Sequence, residues 1–368
     1  MATDYSSRIG RVNARRNSSG TTRLSESVSF AQDSSLWDTV VKSYGGKTKS
    51  KSFQYALISM QEVDKQYTDI SYREAERVAK QLDSGLLRHG KAVTVELQGS
   101  LPLNVHLRRV SDVDMLVWPI GFCIYDRFGV AASTYTSSPN TAESEIPALR
   151  SQCVKVIQAS FPAAKVDDSG AKCITVSEGS LLREIDVVPS VLYETAQYQS
   201  TQNDDDRGVK IYDKKAQVTI TNYPFKVRAL INAKDGRTAG GCKKAIRLLK
   251  NMREDSDTSI ALSSFNIMSL VYAMTDSSLI HQFYAQGKIV SSLQEWFYML
   301  ANNEAKLKAL DTVDGSRKIV QSLADITAVA QLAGELDTLL CNIALDLQPN
   351  LPSDYSVWRS KIENEVVI

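Results

Sequence analysis

The residues of this chain best suited to chemistry are a glycine-serine pair and the aspartates that follow it. Gly99-Ser100 is followed, after eleven residues, by Asp112-Val-Asp114. The apolar residues around these aspartates predict a strand over residues 112–118, in which residues two apart point to the same face. The two carboxylates are therefore expected on one face, about 7 Å apart, where they can bracket a hard cation that prefers oxygen ligands.

A third carboxylate, Asp186, follows on a later predicted strand. Ile185, Val187 and Val188 surround it, so Asp186 is a single charge in an otherwise apolar segment. Three carboxylates on neighbouring strands can hold two Mg²⁺ ions about 3.5–4 Å apart, and Mn²⁺ accepts the same ligands. Two-metal phosphoryl transfer needs this arrangement, because one ion activates a hydroxyl nucleophile and the other stabilises a pyrophosphate leaving group.

The turn at Gly99-Ser100 suits the phosphates of a nucleotide. Glycine lets backbone amides approach a phosphate closely, and the hydroxyl of Ser100 can donate a hydrogen bond to a phosphate oxygen. An isolated Asp-x-Asp is common on solvated strand faces and carries little information by itself. The turn, the pair at Asp112 and Asp114, and the later Asp186 together favour the catalytic interpretation, because independent features agree.

Helices and strands must position these residues. Apolar periodicity predicts helices over 28–43, 52–67, 71–89 and 146–161, and a first strand over 93–98. A hairpin is predicted over 173–176 and 182–188, with Gly179 between its strands and Pro189 at its end. After residue 223 the pattern is helical, over 240–254, 262–274, 293–302, 323–345 and 354–365. We therefore expect an α+β fold with a central sheet between N-terminal helices and a C-terminal helical lobe.

The length of the chain favours two lobes. Its 368 residues exceed the roughly 250–300 residues at which a single core stops growing. Residues 1–27 are rich in Ser, Thr, Arg and Gly, so we expect a flexible basic arm there. A catalytic lobe over 28–220, which includes the N-terminal helices, and a helical lobe over 221–368 are expected to follow, with nucleotides bound between them.

Composition excludes several other classes of protein. The 43 basic and 42 acidic side chains give a formal charge of +1, which argues against a generally basic surface for long nucleic acid. No apolar run approaches the ~18 residues of a membrane span, and the N-terminus has no apolar core of the kind a secretory signal carries. Five cysteines without a CxxC pair and three histidines make zinc chemistry improbable. We expect a cytoplasmic protein that does not bind membranes.

The residues described above resemble a known catalytic signature. Gly99-Ser100 with Asp112, Asp114 and Asp186 is similar to that of the DNA polymerase β nucleotidyltransferase superfamily, which implies a polymerase β-like core with a mixed sheet. Within it, the stretches 98–116, 181–193, 221–256 and 263–274 resemble the group of bacterial signalling enzymes related to cyclic GMP-AMP synthase. Such enzymes typically carry Asn-Thr-His-Ile where this chain has Asn-Val-His-Leu at 104–107, a difference that removes one hydroxyl.

The resemblance implies further nucleotide-binding residues. Gln98, Gly99 and Ser100 match the phosphate-binding turn of the family. Lys250 and Ser264 match a lysine and a serine that bind the donor triphosphate, and the next residue, Phe265, matches an aromatic position that stacks on a base.

Each of these assignments has an alternative. Lys250 could be a surface group that compensates a helix dipole, Ser263 or Ser264 could be a helix N-cap, and Phe265 could be a core residue. His106 could contact an acceptor nucleotide or make a structural hydrogen bond, and we favour the hydrogen bond.

The resemblance also implies a function. Two or three nucleoside triphosphates would be joined with release of pyrophosphate and closed into a cyclic second messenger, in bacterial anti-phage signalling. The expected partners are the nucleotides and, through an anti-phage operon, regulatory or effector proteins. The chain lacks an inserted zinc-binding cluster for double-stranded DNA, so direct sensing of DNA is not expected. Two alternatives remain open: an enzyme that makes linear products or modifies another acceptor, and an inactive nucleotide-binding scaffold.

Overall fold

A mixed β-sheet forms the centre of one of two compact units in this computed structural model, which describes residues 3–17 and 48–367. The sheet unit comprises Lys65–His106 and Val110–Leu230, and the helical unit comprises the described residues of Met1–Asp64, Leu107–Arg109 and Ile231–Ile368. The units therefore divide the chain at other places than the predicted boundaries after residues 27 and 220.

The sheet unit contains eight described strands and three described helices that lie wholly within it. The strands are β1 (Val93–Gln98), β2 (Val113–Pro119), β3 (Cys123–Tyr125), β4 (Lys165–Asp167), β5 (Ile174–Ser177), β6 (Ile185–Glu194), β7 (Gly208–Asp213) and β8 (Val218–Asn222). The helices, in the numbering used for the whole chain, are α3 (Lys65–Arg88), α4 (Ala142–Ser160) and α5 (Ala196–Thr201), with 3-10 turns at Ala132–Thr134 and Asp204–Asp206.

The long strand β6 organises the sheet. Its first half lies between β2, to which it is parallel, and β5, to which it is antiparallel; β1 and β4 complete that side in the order β1-β2-β6-β5-β4. Its second half pairs with β3 in parallel and with β7 in antiparallel orientation, and β8 extends β7. Pro189 was predicted to end this strand, which is wrong: β6 exchanges its neighbours near Pro189 and continues to Glu194.

Two helices cover one face of the sheet. Apolar residues of α3 at helical spacing, Ala75, Val78, Leu82 and Leu86, pack with those of α4 on alternate residues of β2 and β6. The helices approach closely at Gly85, where an added Cβ would lie 2.3 Å from Cγ1 of Val156. The intervening residues of β2 and β6 point to the opposite face.

The helical unit is built from the remaining elements. They are α1 (Tyr5–Asn17), α2 (Lys51–Met60), α7 (Gly241–Asp255), α8 (Ser264–Tyr272), α9 (Asp276–Leu279), α10 (Gly287–Ala301), α11 (Glu304–Ala309), α12 (Leu323–Leu347) and α13 (Tyr355–Glu363), and α6 (Pro224–Arg237) runs from the sheet unit into this one. Helix α12 is long and apolar enough to cross a membrane by length and composition, but 50% of its most apolar window is buried within the protein. A core helix behaves in this way.

Most predicted elements are confirmed. The first strand has the predicted bounds, the hairpin of β5 and β6 is present, and the helices predicted over 71–89, 146–161 and after residue 240 all form. The helix predicted over 52–67 is wrong in one respect, because α2 ends at Met60 and α3 begins at Lys65. The helix predicted over 28–43 lies outside the described residues.

The prediction of a flexible N-terminal arm is wrong for residues 5–17. They form α1, whose Tyr5, Arg8 and Val12 are buried at helical spacing. Arg8 donates to Glu335 Oε2 at 2.6 Å. This ion pair compensates the cost of burying the Arg8 guanidinium away from water.

Candidate active site

Four polar side chains form one row across the centre of the sheet. The register pairs Gln98 of β1 with Asp114 of β2. Asp114 is paired in turn with Asp186 of β6, and Asp186 with Thr175 of β5. Neighbouring strands lie about 4.8 Å apart and directly paired residues point to the same face, so these half-buried side chains project side by side. We call Gln98, Asp114, Asp186 and Thr175 the polar row.

The polar row lies on the face of the sheet opposite α3 and α4. Met115 and Val117 of β2 and Val187 of β6 point into the core with those helices, so the alternate residues Asp114 and Asp186 point away from it. Strand periodicity alone therefore places one aspartate of each apolar strand on the face opposite α3 and α4.

Thr175 holds the carboxylate of Asp186 in place. Its hydroxyl, Oγ1, donates a hydrogen bond of 2.6 Å to Asp186 Oδ1. A hydrogen bond to an ionised acceptor is short and strong, so it fixes the direction of the remaining oxygen lone pairs. Sequence reasoning missed Thr175. The available signal was its position between Ile174 and Val176, two fully buried residues, which places it on the face that carries the aspartates.

The turn after β1 brings the main chain against the second aspartate. Gly99 has φ +76°, and a Cβ added to it would lie 2.4 Å from Asp114 Oδ2. Only glycine accommodates both this backbone conformation and this approach. The turn continues with Ser100, whose carbonyl accepts from Val105 N at 3.0 Å, and Leu101 buries its side chain in the core and anchors the turn. Gly99 and Ser100 therefore lie beside the polar row.

Asp112 lies just outside the strand on which it was predicted, because β2 begins at Val113. Although Asp112 keeps much of its surface in solvent, partial burial of its carboxyl group and the negative charge of Asp186 raise its pKa. The pKa of Glu184 is also raised, by burial and by the charges of Asp112 and Asp186. The carboxylates at this end of β2 and β6 thus repel one another, and a cation would relieve that repulsion.

The donor set suits a hard divalent cation. Asp114 and Asp186 lie on adjacent strands and Asp112 directly precedes β2, and Mg²⁺ and Mn²⁺ prefer carboxylate oxygens of this kind. Within the described part of the chain, no three Asp, Glu, His or Cys side chains already close into a metal cage. The residues nevertheless fit a metal by their chemistry and by their position in the sheet, and a cation would relieve the repulsion between Asp112 and Asp186.

The segment that leads into Asp186 is fastened to α3. The backbone N–H of Leu182 donates to Glu74 Oε2 at 3.3 Å, and Arg77 donates to the carbonyl of Ser180 at 3.0 Å. The guanidinium of Arg183 stacks on the ring of Tyr67, 3.8 Å from its centroid. These contacts hold the loop between β5 and β6 against α3, which fixes the position at which β6 begins.

The other predicted nucleotide-binding residues belong to the helical unit. Lys250 of α7 is only 2% exposed, so its interpretation as a solvated surface group is wrong. Ser263 is the N-cap of α8 and accepts from Asn266 N at 3.0 Å, which leaves Ser264 as the first residue of the helix rather than its cap. Phe265 is half-buried, with the Arg317 guanidinium 5.7 Å from its ring centroid.

His106 is a buried residue of the sheet unit. It is 3% exposed, and its Nε2 lies 3.1 Å from Thr68 Oγ1. This contact favours the structural hydrogen bond over an acceptor-binding role.

Comparison with known proteins identifies the family of this chain. A family model described as the cGAS/DncV-like nucleotidyltransferase C-terminal helical domain matches residues 229–339. The cyclic dinucleotide synthase CdnE of Yersinia aleksiciae is 32% identical over 307 residues, 83% of this chain and 79% of that protein. A c-di-GMP synthase of Lachnospiraceae bacterium (strain RUG226) is 27% identical over 338 residues, 86% of this chain and 91% of that protein.

A solved structure shares the fold. It is that of a STING-associated CdnE c-di-GMP synthase from Flavobacteriaceae sp., with a TM-score of 0.75 and 21% identity over 93% of this chain and 99% of that chain. The mixed sheet, its row of aspartates and the helical C-terminal part define a polymerase β-like nucleotidyltransferase. Within that class, the chain belongs to the cGAS/DncV-like nucleotidyltransferases, and it is an enzyme of the cyclic oligonucleotide synthase type.

Proposed function

We propose that the protein joins two nucleoside triphosphates into a cyclic dinucleotide in a reaction that depends on a divalent metal. The observation that carries the proposal is the pairing of Asp114 with Asp186 on adjacent parallel strands, beside a turn at Gly99 that touches Asp114. A related protein named as a cyclic dinucleotide synthase supports the product class, and a ring of three nucleotides is the second candidate.

Each of the proposed site residues would have a separate role in this reaction. Asp112, Asp114 and Asp186 would hold two Mg²⁺ ions, which lower the pKa of the attacking hydroxyl and neutralise the triphosphate when bound. The backbone at Gly99 and the hydroxyl of Ser100 would donate hydrogen bonds to the phosphates, with Gln98 beside them at the end of β1. In each of two steps, a ribose hydroxyl oxygen forms a bond to an α-phosphorus, pyrophosphate leaves, and the hydroxyl proton goes to solvent.

Three residues of the helical unit are also proposed to take part in nucleotide binding. We propose that Lys250 supplies a positive charge to its phosphates, Ser264 supplies a hydroxyl, and Phe265 stacks on a base. The support for Lys250 is its match to the lysine that binds the donor triphosphate in the family to which the chain belongs. The position of Ser264 at the start of α8, where the helix dipole favours anions, supports the assignment of Ser264.

Guanine is the first base to test. Relatives at 24–29% identity are named c-di-GMP synthases, which supports GTP as a substrate of this chain. We further propose that the protein acts in the bacterial cytoplasm, in anti-phage signalling, together with regulatory or effector proteins.

The test is product analysis. Purified full-length protein is incubated with all four labelled ribonucleoside triphosphates and Mg²⁺ or Mn²⁺, treated with phosphatase and analysed by mass spectrometry. A variant with Asp112→Ala and Asp114→Ala is the matched control. A phosphatase-resistant product that the control does not form would establish cyclisation and identify the bases.

Other outcomes decide against the proposal. Products that phosphatase degrades would favour the alternative of linear synthesis or transfer to another acceptor. Absence of pyrophosphate release with either metal, in protein that binds nucleotide, would favour the inactive scaffold.

A further inference from the structure

A second concave site lies in the sheet unit, away from the residues used above. Its volume is about 370 Å³, within the range of roughly 300–1,000 Å³ typical of small-molecule pockets. Residues of α4, of the loop between β4 and β5, and of β6 and β7 line it. It includes no member of the polar row and no residue of the turn after β1.

The wall of this cavity is strongly cationic. Arg150, Lys155, Lys172 and Lys214 line it with a single carboxylate, Asp168, so its formal charge is +3. Asp168 is already neutralised, because Arg150 Nε donates to its Oδ1 at 2.5 Å and Lys214 Nζ lies 3.5 Å from its Oδ2. The cavity is therefore lined by four positive charges and one carboxylate, and that carboxylate already contacts two of the four.

Arg150 is built into the floor of the cavity. It is only 7% exposed, and its Nη2 donates to the carbonyls of Asp168, Gly170 and Cys173. These bonds fix the loop between β4 and β5. The Nη1 of Arg150 donates to no residue that the structure describes, and it is not among the fully buried polar atoms that lack a partner, so it retains some exposed surface.

Two lysines at the cavity have no direct polar contact with a described protein group, although the charge of Lys172 adds to the backbone hydrogen bonds that lower the pKa of Asp213. Across the described residues, Lys155 and Lys172 form no hydrogen bond or ion pair. Like charges that converge in a concavity raise the local concentration of anions, because the low-dielectric wall focuses their field. The remaining lining is partly apolar, with Ile146, Val154 and Pro189 among its members.

We propose that this cavity binds a small organic anion, one that carries a phosphate or carboxylate next to an apolar or aromatic group. The anionic group would lie against Lys155, Lys172 and Arg150 Nη1, and the apolar group against Ile146 and Pro189. The site is independent of the proposed reaction, since it shares no residue with it.

The test uses 8-anilinonaphthalene-1-sulfonate, an aromatic anion whose fluorescence rises on binding, with the full-length protein in EDTA. We expect saturable binding of one probe per chain. The double variant Lys155→Glu, Lys172→Glu should weaken binding at least tenfold. The double variant Lys80→Glu, Lys215→Glu carries the same change in charge on exposed lysines outside the cavity and should bind like the unaltered protein.

Two further measurements distinguish a loss of charge attraction from damage to the fold. The uncharged analogue N-phenyl-1-naphthylamine should bind all variants equally, and the milder Lys155→Ala, Lys172→Ala should weaken only the anionic probe. Displacement of the anionic probe by phenyl phosphate or by benzoate would identify the preferred anionic group. Equal affinity of the probe for both double glutamate variants, or failure of both competitors to displace it, would overturn the proposal.

Discussion

The sheet unit has partly buried carboxylates and the helical unit a fully buried one, and the surroundings of these carboxylates differ in charge. In the sheet unit, Asp114 and Asp186 lie side by side, and the charge of Asp186 contributes to the raised pKa of Asp112. In the helical unit, the fully buried Asp255 accepts two hydrogen bonds from Arg15, at 2.5 and 2.9 Å, and a third from Tyr55 at 3.0 Å.

The contrast separates a structural use of charge from a functional one. A buried carboxylate that is paired and fully hydrogen-bonded joins elements of the fold, here α1, α2 and α7. Carboxylates that repel one another lower the stability of the folded state, so they persist where a ligand of opposite charge uses them. Replacing an aspartate should therefore have opposite consequences for stability in the two units.

The largest expected effect is on catalysis in the sheet unit. Asp186→Asn should reduce product formation on the order of 10³-fold, because it removes a proposed metal ligand while preserving the shape of the side chain. The same change should leave Tm unchanged or slightly raised, because it removes a repulsive charge. Initial rates of pyrophosphate release and a thermal melt without metal measure the two effects.

The control for this prediction is Asp83→Asn, which alters an exposed carboxylate on α3. It should change neither activity nor Tm. A marked fall in the Tm of Asp186→Asn would contradict the contrast, since it would make Asp186 a structural residue like Asp255.

The second prediction concerns the paired charges of the helical unit. Arg15→Ala leaves Asp255 buried with its main cationic partner removed, which should lower the free energy of unfolding by about 3–5 kcal/mol and Tm by about 5 °C. Lys308→Ala breaks an ion pair with Glu304 whose side chains are both more than half exposed, so it should change stability by less than about 1 kcal/mol. Urea denaturation followed by circular dichroism compares the two, and equal stability losses would refute the distinction.

Sequence periodicity predicted the sheet unit better than the N-terminus for a physical reason. The strand segments around the aspartates are apolar apart from the aspartates themselves, and the helices that cover them have apolar residues at helical spacing, so local patterns predict these elements. Helix α1 contains few apolar residues and buries Arg8 by pairing it with Glu335, more than 300 residues away in the chain. A long-range ion pair leaves no periodic signal, so the segment has the composition of a flexible arm.

The sequence alone predicted the proposed metal ligands of the candidate site, but not the residues that lie beside them in the sheet. Asp114 and Asp186 each interrupt an apolar strand, which is visible in the sequence. Their pairing with Gln98 and Thr175 depends on strand order and register, which contacts across the sheet determine. The continuation of β6 beyond Pro189 was missed for the same reason, because the strand gains β3 and β7 as new neighbours there.

The third prediction concerns the turn beside Asp114. Gly99→Ala would place a methyl group 2.4 Å from Asp114 Oδ2 and impose a left-handed backbone conformation on alanine. Displacement of this carboxylate should reduce activity about 100-fold, while the strained backbone should cost only about 1 kcal/mol of stability. Gly90→Ala is a matched control, because Gly90 also has positive φ, +75°, but an added Cβ would meet nothing within 4 Å. Similar activity in the two variants would show that the approach of Gly99 to Asp114 does not matter.

The smallest expected effect tests whether a neutral hydrogen bond supports the aspartates of the sheet unit as Tyr55 supports Asp255. Thr175→Val removes the 2.6 Å hydrogen bond to Asp186 and keeps the shape of the side chain. It should weaken Mn²⁺ binding, measured by electron paramagnetic resonance without nucleotide, about tenfold, because partners of metal ligands orient them. Thr175→Ser keeps the hydroxyl and should bind Mn²⁺ like the unaltered protein. If Thr175→Val and Thr175→Ser bind Mn²⁺ equally well, the hydrogen bond from Thr175 does not orient Asp186. The position of the carboxylate would then be set by the strands alone.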